Sequence, residues 1–255
     1  MISFIGAGPG DPDLLTIKGK RIIDNSDVII YTGSLVNPEV LRGAKPTARI
    51  YNSATMNLDQ VIGVMKDAES KGLKVARVHT GDPSIYGAIR EQIDRLEEVG
   101  IDSEVIPGVS SFLGVAAVLK KEYTLPSKSQ TVIITRMEGR TPVPPKEKLI
   151  DLARHNTTMV IFLSIGFIEE MVSTLKEAGY RPDTPVAVVY KATWPDQRIL
   201  NGTLNDIAEK VKESGIDRTA LTVVGDFLGN EYELSKLYDG KFSTGFRKGT
   251  GSEGC

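Results

Sequence analysis

The chain has 255 residues, 40% of them hydrophobic and 25% charged, with a net charge of −2. This is the composition of a globular protein with room for one large or two medium domains, and it excludes the basic excess with which nucleic-acid binders attract phosphate. The one cysteine is the last residue, Cys255; a disulfide within the chain is impossible, and cysteine-based metal or nucleophile chemistry is disfavoured. The start, Ile2-Ser3-Phe4-Ile5, is too short for a secretory h-region and has no basic n-region. No apolar run approaches the ~18 residues of a membrane span, so the expected setting is cytoplasmic.

Ile2 to Ile5 reads as a short buried strand entering Gly6-Ala7-Gly8-Pro9-Gly10-Asp11. Asp13 is expected to open a helix, with Leu14, Leu15, Ile17, Ile22 and Ile23 at helical spacing. Strands follow at Asp27 to Tyr31 and Ala48 to Tyr51, then a helix from Leu58 to Ser70, capped by Asn57 and stopped at Lys71-Gly72. The β-prone run Val75, Ala76, Val78 empties into Thr80-Gly81-Asp82-Pro83, and a helix is expected from Ser84 to about Val99. Ser103 to Ile106 is the next strand, ending in Pro107-Gly108, after which Val109-Ser110-Ser111 starts an apolar helix to about Leu119.

Alternating strands and helices predict a parallel sheet covered by helices. The alternation pauses at Leu125 to Ser129, which sets the expected boundaries: an N-terminal α/β domain over 1–126 and a C-terminal α/β domain over 127–246. The Gly/Ser-rich tail at 247–255 is expected to be disordered. The second half restarts with a strand Thr131 to Arg136, a Pro-rich connector Gly139 to Pro145, a helix Lys146 to Arg154 and a strand Thr158 to Leu163. A helix Ile168 to Ala178 and a strand Val186 to Tyr190 follow. Gln197 to Leu204 reads as a strand pairing with its neighbour as a hairpin, so this sheet is expected to be mixed. A helix Asn205 to Ser214 and a strand Ala220 to Phe227 complete it. The fold class is therefore α/β, two domains, with a ligand cleft expected between them.

Gly6-x-Gly8-x-Gly10 after a strand invites comparison with a dinucleotide site, but the fingerprint requires G-x-G-x-x-G and its last position here is Asp11. A carboxylate there would repel a pyrophosphate on the helix N-terminus. The second strand also ends in Tyr31-Thr32-Gly33, without an acid for a ribose. Taken alone, the loop is a tight βα turn with Asp11 or Asp13 as N-cap. The functional weight lies in number. Gly8 to Asp11, Thr80 to Pro83 and Pro107 to Ser111 each follow a strand, and in a parallel sheet all three share the carboxyl edge where ligands bind. Gly81 lets backbone approach a ligand closely. Lys191-Ala192-Thr193-Trp194-Pro195 follows a strand of the second half.

G-A-G-P-G-D-P-D-L-L-T at Gly6 to Thr16, R-V-H-T-G-D-P-S-I-Y-G at Arg77 to Gly87 and I-P-G-V-S-S at Ile106 to Ser111 resemble the signatures of the tetrapyrrole (class III) methyltransferases. D-V-I-I-Y-T-G-S-L-V at Asp27 to Val36, H-T-G-D-P-S-I-Y-G-A at His79 to Ala88 and K-A-T-W-P-D-Q at Lys191 to Gln197 resemble the branch that methylates C-11 of precorrin-4 or cobalt-precorrin-4. The resemblance implies S-adenosylmethionine as methyl donor, S-adenosylhomocysteine as product, and a homodimer. It implies donor contacts at Pro9, Thr80, Gly81, Asp82, Ile85, Ser110, Ser111, Leu163, Ala192, Ala220 and Leu221. The family often has methionine where Leu163 stands.

Such a methyl transfer depends on placing the nucleophile in line with the sulfonium and implies no metal; no general base is assigned. A polycarboxylate tetrapyrrole calls for cations and stacking groups. Asp11, Arg49, Arg77, Tyr86 and Lys120 are the candidate substrate contacts, with Lys18, Lys121 and Arg136 as further cations, each individually more often a surface ion pair. Arg77, if buried, must be paired, with Asp82 or Asp11 as possible partners. Trp194 and Tyr86 are candidates either to stack on a macrocycle or to pack. His79 reads as a packing or turn residue and His155 as exposed. The rivals are a uroporphyrinogen-III C-methyltransferase of sirohaem synthesis, a nucleotide-binding oxidoreductase and a non-catalytic ligand-binding protein.

Overall fold

A computed structural model of the chain describes residues 1–250; Cys255 and the rest of the expected tail over 251–255 lie outside the described residues. The chain divides into two compact units, the first Met1–Leu119 with Tyr190–Arg198, the second Lys120–Val189 with the residues from Ile199 on.

The first unit holds a five-stranded sheet made of β1 (Ile2–Gly6), β2 (Val28–Tyr31), β3 (Arg49–Asn52), β4 (Val75–His79) and β5 (Ser103–Ile106), in the order β3-β2-β4-β1-β5. Every pairing is parallel. The central strands β1 and β4 are buried throughout, which explains their near-continuous apolar runs: a parallel sheet is covered on both faces. Neighbouring residues point to opposite faces, so Phe4 and Ile30 pack with α2 (Leu58–Ser70) and Leu96 of α3 (Arg90–Glu97). Ile5, Ile29 and Val78 pack on the other face with Ile23 of α1 (Ile17–Asn25). A side chain such as the fully buried Phe4 stabilises by roughly 1.5–3 kcal/mol through burial alone.

Local chemistry sets the helix ends. Asn57 and Gln60 each accept a hydrogen bond from the other's backbone N–H, both 2.9 Å, and form the capping box of α2. Asp13 does not open α1. Asp11 caps a short 3₁₀ turn, Pro12–Leu14, by accepting from the Asp13 N–H, and α1 starts later, where Thr16 Oγ1 accepts from Gly19 N–H at 3.1 Å. The helix expected from Ser84 is likewise delayed to Arg90. Tyr86 and Ala88 sit at φ 56° and 48°, a conformation that a right-handed helix cannot contain. The turn is so tight that a Cβ on Gly87 would lie 2.1 Å from the Pro83 carbonyl oxygen. The apolar helix α4 spans Ser111–Leu119.

The second unit has a mixed sheet of β6 (Val132–Arg136), β7 (Thr158–Phe162), β8 (Pro185–Tyr190), β9 (Arg198–Thr203) and β10 (Ala220–Val224), in the order β6-β7-β10-β8-β9. β6 runs parallel and β10 antiparallel to β7; β8 and β9 are neighbours, as the hairpin expectation required. Helices α5 (Leu149–Ala153), α6 (Ile168–Glu177) and α7 (Ile207–Ser214) accompany it. The last strand stops at Val224, three residues before the expected Phe227, because Gly225 turns the chain at φ 141°. Beyond it, Arg247 donates to the carbonyls of Leu237 (2.9 Å) and Asp239 (2.7 Å). Among the described residues no helix is long and apolar enough to cross a membrane.

Candidate functional site

The turns singled out in the sequence follow β1, β4 and β5, which are adjacent in the sheet, with Gly6 in register with His79 and Ile5 with Ile106. Their carboxyl ends therefore form one edge. The turns are also laced together by backbone. Ala7 N–H donates to His79 O (2.8 Å), Gly8 N–H to Gly81 O (3.2 Å) and Gly81 N–H to Gly8 O (2.8 Å). Gly8 and Gly81 adopt φ 76° and 59°, where glycine carries no steric penalty. A Cβ on Gly6 would lie 2.6 Å from Gly108 Cα, and one on Gly108 2.2 Å from Gly81 O. These glycines are required by one another: three turn backbones meet with no room for side chains.

Asp82 ties two of the turns. Its Oδ1 accepts from the N–H and hydroxyl of Ser84, and its Oδ2 accepts from Gly108 N–H at 2.9 Å. Burial opposes its ionisation, but the hydrogen bonds from Ser84 and Gly108 outweigh that and hold the carboxyl below its usual range.

The first turn is held by the segment Tyr190–Arg198. Trp194 Nε1–H donates to Pro9 O at 3.0 Å, and Asp11 N–H donates to Thr193 Oγ1 at 2.9 Å. The indole lies against Gly10, where an added Cβ would come within 2.0 Å of Trp194 Cδ1. Asn37 Nδ2 donates to Gly10 O at 2.9 Å, and Gly114 of α4 leaves space for the Pro9 ring. Of the two roles open to Trp194 from sequence, this contact is packing. Lys191 Nζ stands 4.9 Å from the Trp194 ring centre and pairs with Asp196 at 2.6 Å, an ion pair that raises the lysine's pKa.

The structure brings Pro9, Thr80, Gly81, Asp82, Ile85, Ser110 and Ser111 to this edge. Pro9, Gly81 and Ser110 are buried; Thr80, Asp82, Ile85 and Ser111 are half-buried. Ala192 is buried in the same unit, between Lys191 and Thr193 at φ 47° and 70°. In the second unit β7 ends at Phe162 and its antiparallel partner β10 begins at Ala220, so Leu163, Ala220 and Leu221 lie at one end of the β7–β10 pair. Leu163 is 63% exposed at φ 53°, and Thr219 precedes Ala220 at φ 54°. Non-glycine residues held at positive φ are strained and collect at functional sites.

The candidate substrate contacts are more scattered. Asp11 is at the first turn, and Tyr86, 45% exposed, is in the turn after Pro83. Arg49 pairs with Val28 at the amino end of the sheet, the edge opposite the turns. Lys120 is exposed immediately after α4. Arg77 is buried, and the expected pairing with Asp82 or Asp11 does not occur. Its guanidinium donates to neutral oxygens instead: Gln92 Oε1 (3.1 Å), Ile30 O and Val78 O (both 3.4 Å) and Thr32 Oγ1 (3.5 Å). Burial lowers its pKa to about 10. Lys18 is paired with Glu104, while Lys121 and Arg136 donate to backbone carbonyls. His79 is buried 6.0 Å from the Phe4 ring, its Nε2 without a hydrogen-bond partner, and burial, then Arg77, push its pKa down to about 3. His155 is exposed. In sequence Thr193 stood out only within the Lys191 to Gln197 motif and Asn37 not at all, because their partners, Asp11 and Gly10, lie 182 and 27 residues away.

The family model described as Tetrapyrrole (Corrin/Porphyrin) Methylases matches residues 1–208. A cobalt-precorrin-4 C(11)-methyltransferase of Methanocaldococcus jannaschii is 60% identical over 97% of this chain and 96% of its own length. The solved structure of a cobalt precorrin-4 methyltransferase, a cobalamin biosynthetic enzyme, superposes with a TM-score of 0.87 at 45% identity, covering 90% of this chain and 96% of that one. A uroporphyrin-III C-methyl transferase from Thermus thermophilus, solved in complex with S-adenyl homocysteine, gives 0.75 at 26% identity over 89% and 93%.

Proposed function

Because the chain belongs to the tetrapyrrole (corrin/porphyrin) methylases, we propose that it transfers the methyl group of S-adenosylmethionine to C-11 of cobalt-precorrin-4 in cobalamin biosynthesis. The observation that carries this is the 60% identity, over 97% of the chain, to an enzyme named for that reaction. The sirohaem alternative has less support: the structure bearing that activity's name shares 26% identity, against 45% for the cobalt precorrin-4 enzyme.

The residues at the carboxyl edge of the first sheet suit the donor. Glycines at 8, 81 and 108 let the three turn backbones pack closely at that edge, and Asp82 sets a negative charge there, which favours a cationic ligand. When bound, S-adenosylmethionine supplies an electrophilic methyl on a sulfonium. The chain's part is then to bind and orient. Pro9, Thr80 to Asp82, Ile85, Ser110, Ser111 and Ala192 hold the donor, with Leu163, Ala220 and Leu221 contributing from the second unit. Tyr86, exposed beside the central turn, is proposed to meet the macrocycle. Positioning of this kind removes roughly 7–11 kcal/mol from a two-body barrier in ideal cases. We place the enzyme in the cytoplasm. We also propose a homodimer, the assembly that the family resemblance implies.

The test is to offer cobalt-precorrin-4, precorrin-4 and uroporphyrinogen III separately with methyl-labelled S-adenosylmethionine. Label should enter cobalt-precorrin-4. Label entering only uroporphyrinogen III would favour the sirohaem reaction, and no incorporation would favour a non-catalytic binder.

A further inference from the structure

Thr193 stands in a conformation that its own side chain opposes. Its φ is 70°, and for a β-branched residue this region is a true outlier that persists only where the surroundings enforce it. The enforcement is visible. Thr193 N–H donates to Gln197 Oε1 at 2.7 Å, and Trp194 N–H donates to Lys191 O at 3.0 Å. Glycine would relieve the strain at this position, yet it would bring no hydroxyl.

The hydroxyl has one clear use. Thr193 Oγ1 accepts the backbone N–H of Asp11 at 2.9 Å across 182 residues of sequence. That N–H belongs to a turn with glycine at both 8 and 10, the residues that lose most freedom on ordering. Such a turn does not hold its own shape. Three outside groups hold it, each on a successive residue: Trp194 Nε1 on Pro9 O, Asn37 Nδ2 on Gly10 O and Thr193 Oγ1 on Asp11 N–H. The far side of the turn is bonded to Gly81 through Gly8, so movement at Asp11 passes to the central turn.

We infer that Thr193 is a positioning residue for methyl-donor binding: its strained backbone presents the Oγ1 acceptor that fixes the Pro9-Gly10-Asp11 turn in the shape the donor meets. This rests on the donor-binding role proposed for that turn. Its effect is pre-organisation, since a turn ordered before binding leaves less freedom to lose on binding.

The test uses the full-length chain with Thr193→Gly and Thr193→Ser, read by calorimetry with S-adenosylmethionine, by thermal unfolding, and by hydrogen exchange at the Asp11 amide. Thr193→Gly should weaken donor binding by about three- to tenfold, leave the unfolding temperature unchanged or higher, and speed exchange at Asp11. Thr193→Ser, which keeps the acceptor, should stay within about twofold of the parent. Unchanged donor affinity in Thr193→Gly overturns the inference. So does a loss of affinity that comes with a lowered unfolding temperature, because that is a merely structural role. If the parent chain binds no S-adenosylmethionine, the proposed function fails instead. The Asp11 amide then still decides: faster exchange in Thr193→Gly retains Thr193 as the holder of the turn, and unchanged exchange removes it.

Discussion

The carboxylate of Asp82 accepts the backbone N–H of Gly108 at 2.9 Å, joining two turns that lie 26 residues apart in sequence. The same carboxylate closes its own turn through Ser84. Asp82 therefore shapes this edge of the sheet as well as charging it. Asp82→Ala should weaken S-adenosylmethionine binding by about tenfold or more, since hydrogen bonds to charged groups are worth ~1.5–3 kcal/mol, while the far-ultraviolet circular dichroism stays that of the parent. The hydrogen bonds keep the folded carboxyl below its usual range. Its stabilising contribution is thus complete above the unfolded value near ~3.9 and is lost as pH falls through the lower folded value. Asp82→Asn should abolish that acid-dependent part, which denaturant midpoints measured below pH ~4 would report.

Trp194 and Gly10 form a pair in which one residue's absence of side chain accommodates the other's ring. Gly10→Ala forces a carbon to within 2.0 Å of Trp194 Cδ1, so it should displace the indole and break its bond to Pro9 O. Trp194→Ala removes that bond directly. The two changes should be strongly non-additive, with a coupling of roughly 0.5–3 kcal/mol in donor affinity. Additive losses would show that the indole does not act through this turn.

His79 is buried and unprotonated at neutral pH, with a pKa pushed down to about 3 by burial and by the Arg77 charge. The unfolded chain takes up a proton near pH ~6.5 and the folded one does not. Stability should therefore fall as the solution is acidified from there toward the folded value, by up to ~1.4 kcal/mol per pH unit. His79→Asn should flatten that part of the curve in urea denaturation between pH 7 and 4. A slope identical to the parent's would contradict the buried neutral imidazole.

Arg77 was a candidate for gripping substrate carboxylates, and the structure buries it among neutral oxygens of β2, β4 and α3. Gln92 relays the contact by donating from Nε2 to Ala88 O at 2.8 Å, so the guanidinium braces the start of α3. Arg77→Met should reduce stability by about 1–3 kcal/mol, the cost of leaving buried acceptors unsatisfied. The tetrapyrrole KM should stay within about twofold. A large rise in KM without loss of stability would restore the substrate role.

The strand pattern was legible because each central strand is an unbroken apolar run bounded by a glycine turn, as at Ile2–Gly6 and Val75–His79. The adjacency of the turns also followed from parallel pairing. What sequence could not reveal depends on torsions and distant partners. Periodicity continues through Ser84 to Val99, yet Tyr86 and Ala88 adopt positive φ and delay α3. Arg77 preceded the central turn and suggested a mouth cation, but strand alternation directs it into the core beside Phe4 and Ile30. Thr193 stood out only as part of the Lys191 to Gln197 motif, and its own role stayed hidden because its partner Asp11 lies at the other end of the chain.

The most direct measurement is to incubate the enzyme with cobalt-precorrin-4 and S-adenosylmethionine bearing a carbon-13 methyl, and to locate the label by NMR of the isolated product. A single enriched methyl at C-11 is expected. Enrichment at any other ring carbon, or an unlabelled macrocycle beside unconsumed donor, would contradict it.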